Sequence, residues 1–389
     1  MLVIWYIIKM KTSKSIIYVS RKRKESLTYS QVGDNYDTKD PVNKLSQQAA
    51  LDTAKNLKNY GFEEISQTRG ESAFVWKQDK VYMASVIECL GTKNLIADDV
   101  RKITGKTYYD VIAHDTVATF INDLSTVGAK PLVVHAFWSV EDNSFLHDEK
   151  RTKDFINGWR DACNLADATW GGGETSTSKG IIEADTINLA GSCVGIIGEE
   201  KRLLLETKLK EGDRIVIIKS SGVNANGISL TRAIAKKLPK GYATKLPNGQ
   251  IYGEALLTKS NIYSKLIQNL LDANLDLHYI TNITGHGLRK IMRAKRKFSY
   301  VIEKIFEPQE VFKFIQKHAN VDDYEMYQTY NMGQDYAIFL NLKDVKKAQA
   351  IISKNNFESI DAGYVENDPR QVIIKPKNIT FEGKTLDLR

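Results

Sequence analysis

Runs of apolar residues at the spacings of strands and helices divide the first half of the chain into regular elements. Residues 81–87 are rich in β-branched and apolar side chains, which predicts a strand that ends at Glu88. From Asp115 onward, apolar residues recur at the spacing of one helix face, and Asp115 suits the N-cap of that helix. A strand over 132–140 and a helix over 150–166 continue the pattern.

After a polar break at 198–202, the second half repeats this mixture with a strand over 214–219, a helix over 228–237 and a closing strand over 371–374. Strands mixed with helices in both halves predict a two-domain protein of α+β or α/β class. The expected divisions are a dispensable, disordered basic extension (1–25), an N-terminal domain (26–199) and a C-terminal domain (200–389).

Composition excludes several protein classes. With 42% hydrophobic and 26% charged residues, the chain is neither disordered, collagen-like nor a coiled coil. Its three cysteines are widely spaced, which makes a structural zinc site improbable and points to the reducing cytoplasm.

The charge distribution argues against nucleic acid and membrane partners. Residues 1–25 hold seven basic side chains and one acidic side chain, and so carry most of the net charge of +8. The remaining chain is nearly neutral, which disfavours a duplex-binding face. The apolar run over 2–8 is too short to cross a bilayer.

Residues typical of a nucleotide site follow the first strand. The turn Gly91-Thr92 precedes Lys93, whose ammonium could meet a phosphate, although an ordinary surface lysine is the plain alternative. Asp115 and Asn122 differ by roughly 20° around a helix axis, so they share one stripe. Together with Asp123 they offer the oxygen ligands that Mg²⁺ uses beside phosphates; capping and solvated side chains are the alternative.

Three consecutive glycines mark a second candidate segment. Gly171, Gly172 and Gly173 cost folding entropy unless the backbone approaches something closely or adopts positive φ. Glu174 and Thr175 would then be presented to a ligand, and a plain loop is the alternative.

His286 lies at a predicted helix start after Thr284-Gly285. There a neutral imidazole could transfer a proton, or it could simply pack locally.

Taken in order, these segments resemble the aminoimidazole ribonucleotide synthetase family, the phosphoribosylformylglycinamidine cyclo-ligases. Further matching segments are Gly128-Ala129-Lys130-Pro131, Ala190-Gly191-Ser192-Cys193, Ser220-Ser221-Gly222 with Asn226-Gly227, Ile283-Thr284-Gly285, and Glu325-Met326-Tyr327 with Asn331-Met332-Gly333. The last pair favours this family over its relatives in selenophosphate, thiamine phosphate and hydrogenase-maturation chemistry.

The resemblance implies ATP and Mg²⁺ as cofactors, formylglycinamidine ribonucleotide as substrate, and a homodimer whose N-terminal sheets pair into a shared barrel. The implied ATP-binding residues are Gly91, Thr92, Lys93, Asn122, Asp123, Gly172, Gly173, Glu174 and Thr175. The implied substrate-binding residues are Ser221, Gly222, Asn226, Thr284, Gly285, Asn331 and Gly333. Lys93, Asp115 and His286 are expected to be catalytic, and Glu88, Asp115 and Asp123 to hold the metal.

Departures from the family pattern leave two alternatives open. Asn224 and Asn282 stand where the family has histidine, His286 stands where glycine is usual, and Gln334-Asp335 follow Gly333 where a second glycine is expected. His286 could replace the imidazole missing at 282. The alternatives are an ATP-dependent enzyme acting on another small substrate, and a nucleotide-binding paralogue without turnover.

Overall fold

The protein is described here by a computed structural model that covers residues 26–33 and 36–386, so the prediction for residues 1–25 lies outside the described residues. Two mixed sheets with flanking helices confirm the predicted two-domain α+β class. The boundary at 199/200 stays a prediction.

The first half contains one sheet and the helices that precede and follow its strands. Its strands are β1 (Glu63–Glu64), β2 (Phe74–Gln78), β3 (Val81–Cys89), β4 (Lys130–Val140), β5 (Thr169–Thr177) and β6 (Ile187–Ile197). Its helices are α1 (Tyr36–Leu51), α2 (Lys55–Lys58), α3 (Lys93–Thr104), α4 (Tyr109–Ser125) and α5 (Glu149–Ala166).

The second half contains the other sheet. Its strands are β7 (Arg214–Lys219), β8 (Leu277–Asn282), β9 (Phe298–Ile302), β10 (Gln334–Leu340), β11 (Ser359–Asn367), β12 (Gln371–Ile374) and β13 (Ile379–Glu382). Its helices are α6 (Ile228–Lys237), α7 (Tyr252–Leu256), α8 (Ser264–Asp272), α9 (Glu310–Ala319), α10 (Asp323–Thr329) and α11 (Val345–Lys354).

One face of the first sheet packs against α4. The strand order is β1-β2-β3-β6-β4-β5, with β4 and β5 parallel. Gly191 and Gly195 on the central strand β6 leave room for the helix, because a Cβ at Gly191 would lie 2.5 Å from the Phe120 ring and one at Gly195 2.7 Å from the Leu124 side chain. The small residues of β6 therefore serve close packing between helix and sheet.

No described element covers the opposite face of this sheet. Ile87 is 73% exposed and Phe137 40% exposed. Ile87 pairs with Ser192, and Cys89 pairs with Ala190, which in turn pairs with Phe137. Because directly paired residues point to the same side, these side chains form one surface, which we call the open face.

The second sheet is closed on both faces. Its order is β13-β12-β9-β11-β7-β10-β8, antiparallel except for β9 with β12. On one face Val216 and Ile338 pack with Leu266 and Ile352 from α8 and α11. On the other face Ile217 belongs to a hydrophobic cluster that continues into the first half and joins the two domains through buried apolar side chains.

One local expectation was wrong, and one alternative is excluded. Asp115 does not cap a helix, because α4 already begins at Tyr109 and Asp115 lies in its middle. The segment from Gly171 to Thr175 is not a loop but part of strand β5. In addition, the helix expected after Gly285 is a 3₁₀-helix over Gly287–Met292.

Within the described residues, no helix has the length and apolar character needed to cross a membrane.

Candidate functional site

Lys93 lies at the point where the two halves meet. It is the first residue of α3 and follows the turn at Gly91, whose φ is +73°. Its side chain is fully buried and its Nζ donates to the Asp115 carboxylate, to the Asn224 carbonyl at 2.8 Å and to the Thr258 carbonyl at 3.4 Å. An ammonium carries three protons, so all of them are engaged. We call this arrangement the lysine cage.

The predicted polar stripe on α4 faces the second half. The Ser260 amide donates to Asp115 Oδ1 at 2.7 Å. Asn122 Nδ2 donates to the Asn261 carbonyl at 2.8 Å, and its Oδ1 accepts from the Tyr263 amide at 3.0 Å. Asp115 and Asn122 thus share one side of the helix, as predicted, but that side is a buried contact with residues 260–263.

Glu88 and Asp123 form a pair of mutually repelling carboxylates beside the junction. Asn282 Nδ2 donates to Asp123 Oδ1 at 2.8 Å, which ties α4 to the end of β8. The Glu88 side chain is exposed to solvent, yet the protein atoms around it and the charge of Asp123 raise its pKa to about 7, partly offset by Lys290 and Arg293. A divalent cation would relieve this repulsion.

Asp115 has different partners from Glu88 and Asp123, because its two carboxylate oxygens accept hydrogen bonds from Lys93 and from the Ser260 amide. Among the described residues, no three His, Cys, Asp or Glu side chains are arranged to hold a metal ion together. The assignment of Asp115 to a metal site stays a prediction, and Glu88 with Asp123 is the better placed couple.

His286 lies at the start of the 3₁₀-helix with a left-handed backbone, φ +70°. Its Nε2 is 3.7 Å from a carboxylate oxygen of Asp40 on α1. Burial and the neighbouring cations Lys290 and Arg289 lower its pKa to about 2. The imidazole is therefore neutral and weakly basic, which suits a hydrogen-bonding role better than proton abstraction.

Lys290 was missed by the sequence reasoning. It is buried, and burial together with Arg293 lowers its pKa to about 7, while Asp123 and Glu88 act to raise it. Its position in a 3₁₀-helix gives no periodic signal that would single it out.

The glycine-rich segment lies on β5, which forms one edge of the first sheet. Glu88 pairs with Gly191, Gly191 with Ala136, and Ala136 with Gly173, so Glu88 and Gly173 lie in one row three strands apart. At about 4.8 Å between strands, this is about 14 Å. Within one chain, Gly173 and its neighbours Gly172, Glu174 and Thr175 are therefore separated from the metal candidate Glu88 by two intervening strands.

The glycines of β5 have an intramolecular reason. A Cβ at Gly173 would lie 2.1 Å from the Ala136 carbonyl oxygen, and one at Gly171 would lie 2.8 Å from Val133. Gly172 has φ +107°. The close approach that the glycines predicted is thus made to strand β4.

Ser221 and Gly222 line a cavity of about 290 Å³ beside the lysine cage. Thr258 connects the cavity with the lysine cage, because it lines the cavity and its carbonyl accepts a hydrogen bond from Lys93. Asn331 supports the cavity from behind by donating to the Gly222 carbonyl at 2.9 Å.

The other predicted substrate residues have different places. Gly333 donates its amide to Asn331 Oδ1 at 3.0 Å, so it stabilises the support of the cavity. Asn226, Thr284 and Gly285 are not among the residues that line the cavity.

Two of the departures from the family pattern meet in space. Asn224 Nδ2 donates to Asp335 Oδ1 at 2.6 Å, although 111 positions separate them. The Gln334 side chain makes two hydrogen bonds to the backbone of Phe306, donating to its carbonyl at 3.1 Å and accepting from its amide at 2.8 Å. Each departure could be seen in the sequence, but their contact could not.

Comparison with known proteins agrees with this architecture. Residues 70–197 match the family model of the AIR synthase related protein N-terminal domain, and residues 210–375 match that of its C-terminal domain. A phosphoribosylformylglycinamidine cyclo-ligase of Methanosarcina barkeri is 32% identical over 271 residues, covering 69% of this chain and 77% of that protein.

Two solved structures share the fold at low identity. AaThiL in complex with AMPPCP and TMP superposes with a TM-score of 0.55 at 13% identity, covering 81% of this chain and 91% of that one. PurL of T. maritima in complex with FGAR has a TM-score of 0.53 at 14% identity, covering 81% and 47%. At such identities the likeness shows the fold alone. The two family models and the cyclo-ligase relative together establish that this chain belongs to the AIR synthase related family.

Proposed function

We propose that this chain catalyses the ATP-dependent closure of formylglycinamidine ribonucleotide to 5-aminoimidazole ribonucleotide, the cyclo-ligase step of purine biosynthesis. The observation that carries the proposal is the junction in which Lys93 and the stripe of α4 meet the Ser221-Gly222 cavity. The identity of 32% to a protein named as this cyclo-ligase supports it.

The reaction needs activation of a poor leaving group. The amide oxygen of the substrate attacks the γ-phosphorus of ATP, forming an iminophosphate and releasing ADP. The neighbouring nitrogen then attacks the activated carbon, so that a C–N bond forms, the C–O bond breaks and phosphate leaves with the oxygen. The protein contributes mainly by orienting these groups and by stabilising phosphate charge.

We place the substrate in the cavity lined by Ser221 and Gly222. Of the three bonds made by Lys93, the one to the Thr258 carbonyl is the longest, at 3.4 Å, and Thr258 lines the cavity. The hydrogen bond to Thr258 is therefore the one that Lys93 can redirect to a substrate or phosphate oxygen with the least rearrangement. Lys93 would then stabilise developing negative charge while Asp115 keeps it oriented.

Glu88 and Asp123 suit Mg²⁺ carried with ATP. Their mutual repulsion is what a hard divalent cation neutralises, and Mg²⁺ typically takes one or two protein carboxylates and completes its shell with phosphate oxygens and water. Bound there, Mg²⁺ would neutralise phosphate charge. Asn282 orients Asp123 through its hydrogen bond at 2.8 Å.

We further propose that the chain works as a homodimer formed through the open face. The exposure of Ile87 and Phe137 on a continuous sheet surface supports this, since an apolar surface of that kind favours association. The distance of Gly173 from Glu88 supports it as well. Glu174 and Thr175 would complete a nucleotide site across the interface rather than within one chain.

The decisive assay supplies the purified protein with formylglycinamidine ribonucleotide, Mg²⁺ and ATP. The proposal expects 5-aminoimidazole ribonucleotide and ADP in equal amounts, and no ADP when the substrate is left out. ADP released without the aminoimidazole product would favour a related enzyme with another substrate. Nucleotide binding without any turnover would favour the non-catalytic paralogue.

A further inference from the structure

Asp335 is a buried carboxylate, 2% exposed, at the start of β10, which lies between β7 and the edge strand β8 of the second sheet. Its Oδ1 accepts from Asn224 Nδ2 at 2.6 Å and its Oδ2 accepts from the Tyr263 hydroxyl at 2.6 Å. Both bonds are short and both reach elements outside the strand. A buried carboxylate that is held on both oxygens is costly to desolvate, so a role beyond packing is expected of it.

Asn224 connects this carboxylate to the lysine cage. Its backbone is left-handed, with φ +58°, and its carbonyl accepts from Lys93 Nζ at 2.8 Å. The side chain and the carbonyl belong to the same residue, so anchoring the side chain on Asp335 limits how the carbonyl can turn. The carbonyl in turn limits where the ammonium can lie.

The second oxygen of Asp335 braces the other wall of the junction. The Tyr263 hydroxyl that it holds also accepts from Asn261 Nδ2 at 2.9 Å, and the Tyr263 amide donates to Asn122 on α4 at 3.0 Å. One carboxylate therefore fixes the Asn224 turn and the 261–263 segment relative to α4, which also carries the cage residue Asp115.

We propose that Asp335 is a positioning residue for Lys93, acting through the side chain and carbonyl of Asn224. It touches neither the ammonium nor the cavity. Its function is to hold the lysine cage in the geometry from which Lys93 can donate a hydrogen bond to a ligand oxygen. Where turnover is concerned, this inference rests on the proposed cyclo-ligase function; where the geometry of the cage is concerned, it does not.

The first test reads the cage directly and needs no substrate. The amines of the folded protein are acylated in brief pulses, and the rate at Lys93 is compared by mass spectrometry with that at the exposed Lys384. Asp335→Asn keeps the shape but cannot accept from both partners. Asn224→Gly keeps the left-handed turn and the carbonyl but removes the anchor. Either change should speed labelling of Lys93 about tenfold or more by loosening the cage.

The control is Asp213→Asn. Asp213 is equally buried, immediately precedes β7 in the same sheet, and accepts a hydrogen bond from His278 at 2.7 Å. It should lower overall stability while leaving the labelling of Lys93 at the wild-type rate. If Asp335→Asn and Asn224→Gly leave Lys93 as protected as in the wild type, or if Asp213→Asn exposes it equally, the positioning role is refuted.

The second test is a double-variant cycle on turnover. Each single variant should lower kcat about tenfold through misplacement of Lys93, with KM for the substrate changed much less. Because both act on one path, the double variant Asp335→Asn/Asn224→Gly should be no worse than the single ones. Multiplying losses would contradict the path through Asn224. A wild-type protein without turnover would reject the cyclo-ligase proposal and leave the labelling result to decide this one.

Discussion

The lysine cage and the outer strand β5 carry the two sets of residues that were predicted to meet ATP, and they differ in nearly every physical respect. Lys93 and Asp115 are fully buried and all their polar atoms are bonded within one chain. Gly173 and Glu174 are exposed on an edge strand, and strand spacing puts Gly173 about 14 Å from Glu88. Two motifs that the sequence suggested for one ligand can thus lie in very different surroundings within one chain.

The largest expected effect breaks the cage. Asp115→Asn leaves the Lys93 ammonium buried without its counter-charge, so unfolding should become about 3–5 kcal/mol easier. Denaturant unfolding of the variant and the wild type measures this. A variant of unchanged stability that binds Mg·ATP more weakly would instead return Asp115 to the metal site.

The next effect concerns the open face. Phe137→Asp places a charge on a surface that we propose to be buried between two chains, so the dissociation constant of the dimer should rise about 100-fold or more. Sedimentation over a range of concentrations gives the constant, and circular dichroism checks that the separated chain stays folded. A wild-type chain that is monomeric at all concentrations would contradict the dimer.

A smaller effect separates two reasons for the glycines of β5. Gly173→Ala sets a methyl group against the Ala136 carbonyl and should cost about 1–3 kcal/mol of stability. Gly198→Ala is the control, because no atom lies within 4 Å of its added Cβ and no positive φ is required; it should change stability by about 0.5 kcal/mol or less. Unchanged stability of Gly173→Ala with weaker nucleotide binding would mean that the glycine serves the ligand.

The smallest effect is a pH dependence at Glu88. Surrounding protein and the charge of Asp123 raise the pKa of this carboxyl from 4.5 to about 7, so the folded chain holds a proton that the unfolded chain has released. Stability of the ligand-free protein should therefore fall as pH rises from about 4.5 to 7. Glu88→Gln should flatten that slope and weaken Mg·ATP binding. A Glu88→Gln variant with the wild-type slope would assign the slope to other groups.

Local elements were largely predictable, because their signals lie in short windows of sequence. The strand over Arg214–Lys219, the helix over Ile228–Lys237 and the strand over Gln371–Ile374 agree with their predicted bounds. Apolar periodicity reports which face of an element is buried, and that property depends mainly on near neighbours.

Contacts between distant segments were less predictable. Helical spacing predicts that Asp115 and Asn122 share one stripe of α4, but spacing alone does not reveal that this stripe faces residues 260–263. Aspartate is a common N-cap residue, and this preference gave the wrong prediction at Asp115. Its oxygens accept hydrogen bonds from tertiary partners and not from the first amides of a helix. The bond between Asn224 and Asp335 spans 111 positions and leaves no periodic trace.

Strand β5 has a consequence for how this protein behaves in concentrated solution. Among the described strands it forms one edge of its sheet, with β1 at the other edge, and its residues from Gly171 to Gly173 offer backbone groups with no side chain to shield them. Such a margin can recruit a strand from another molecule and seed aggregation. Glu174 supplies the one negative charge of this strand, and such a charge opposes strand-to-strand association between molecules. Replacing Glu174 with an apolar residue should therefore make the purified protein aggregate faster on storage.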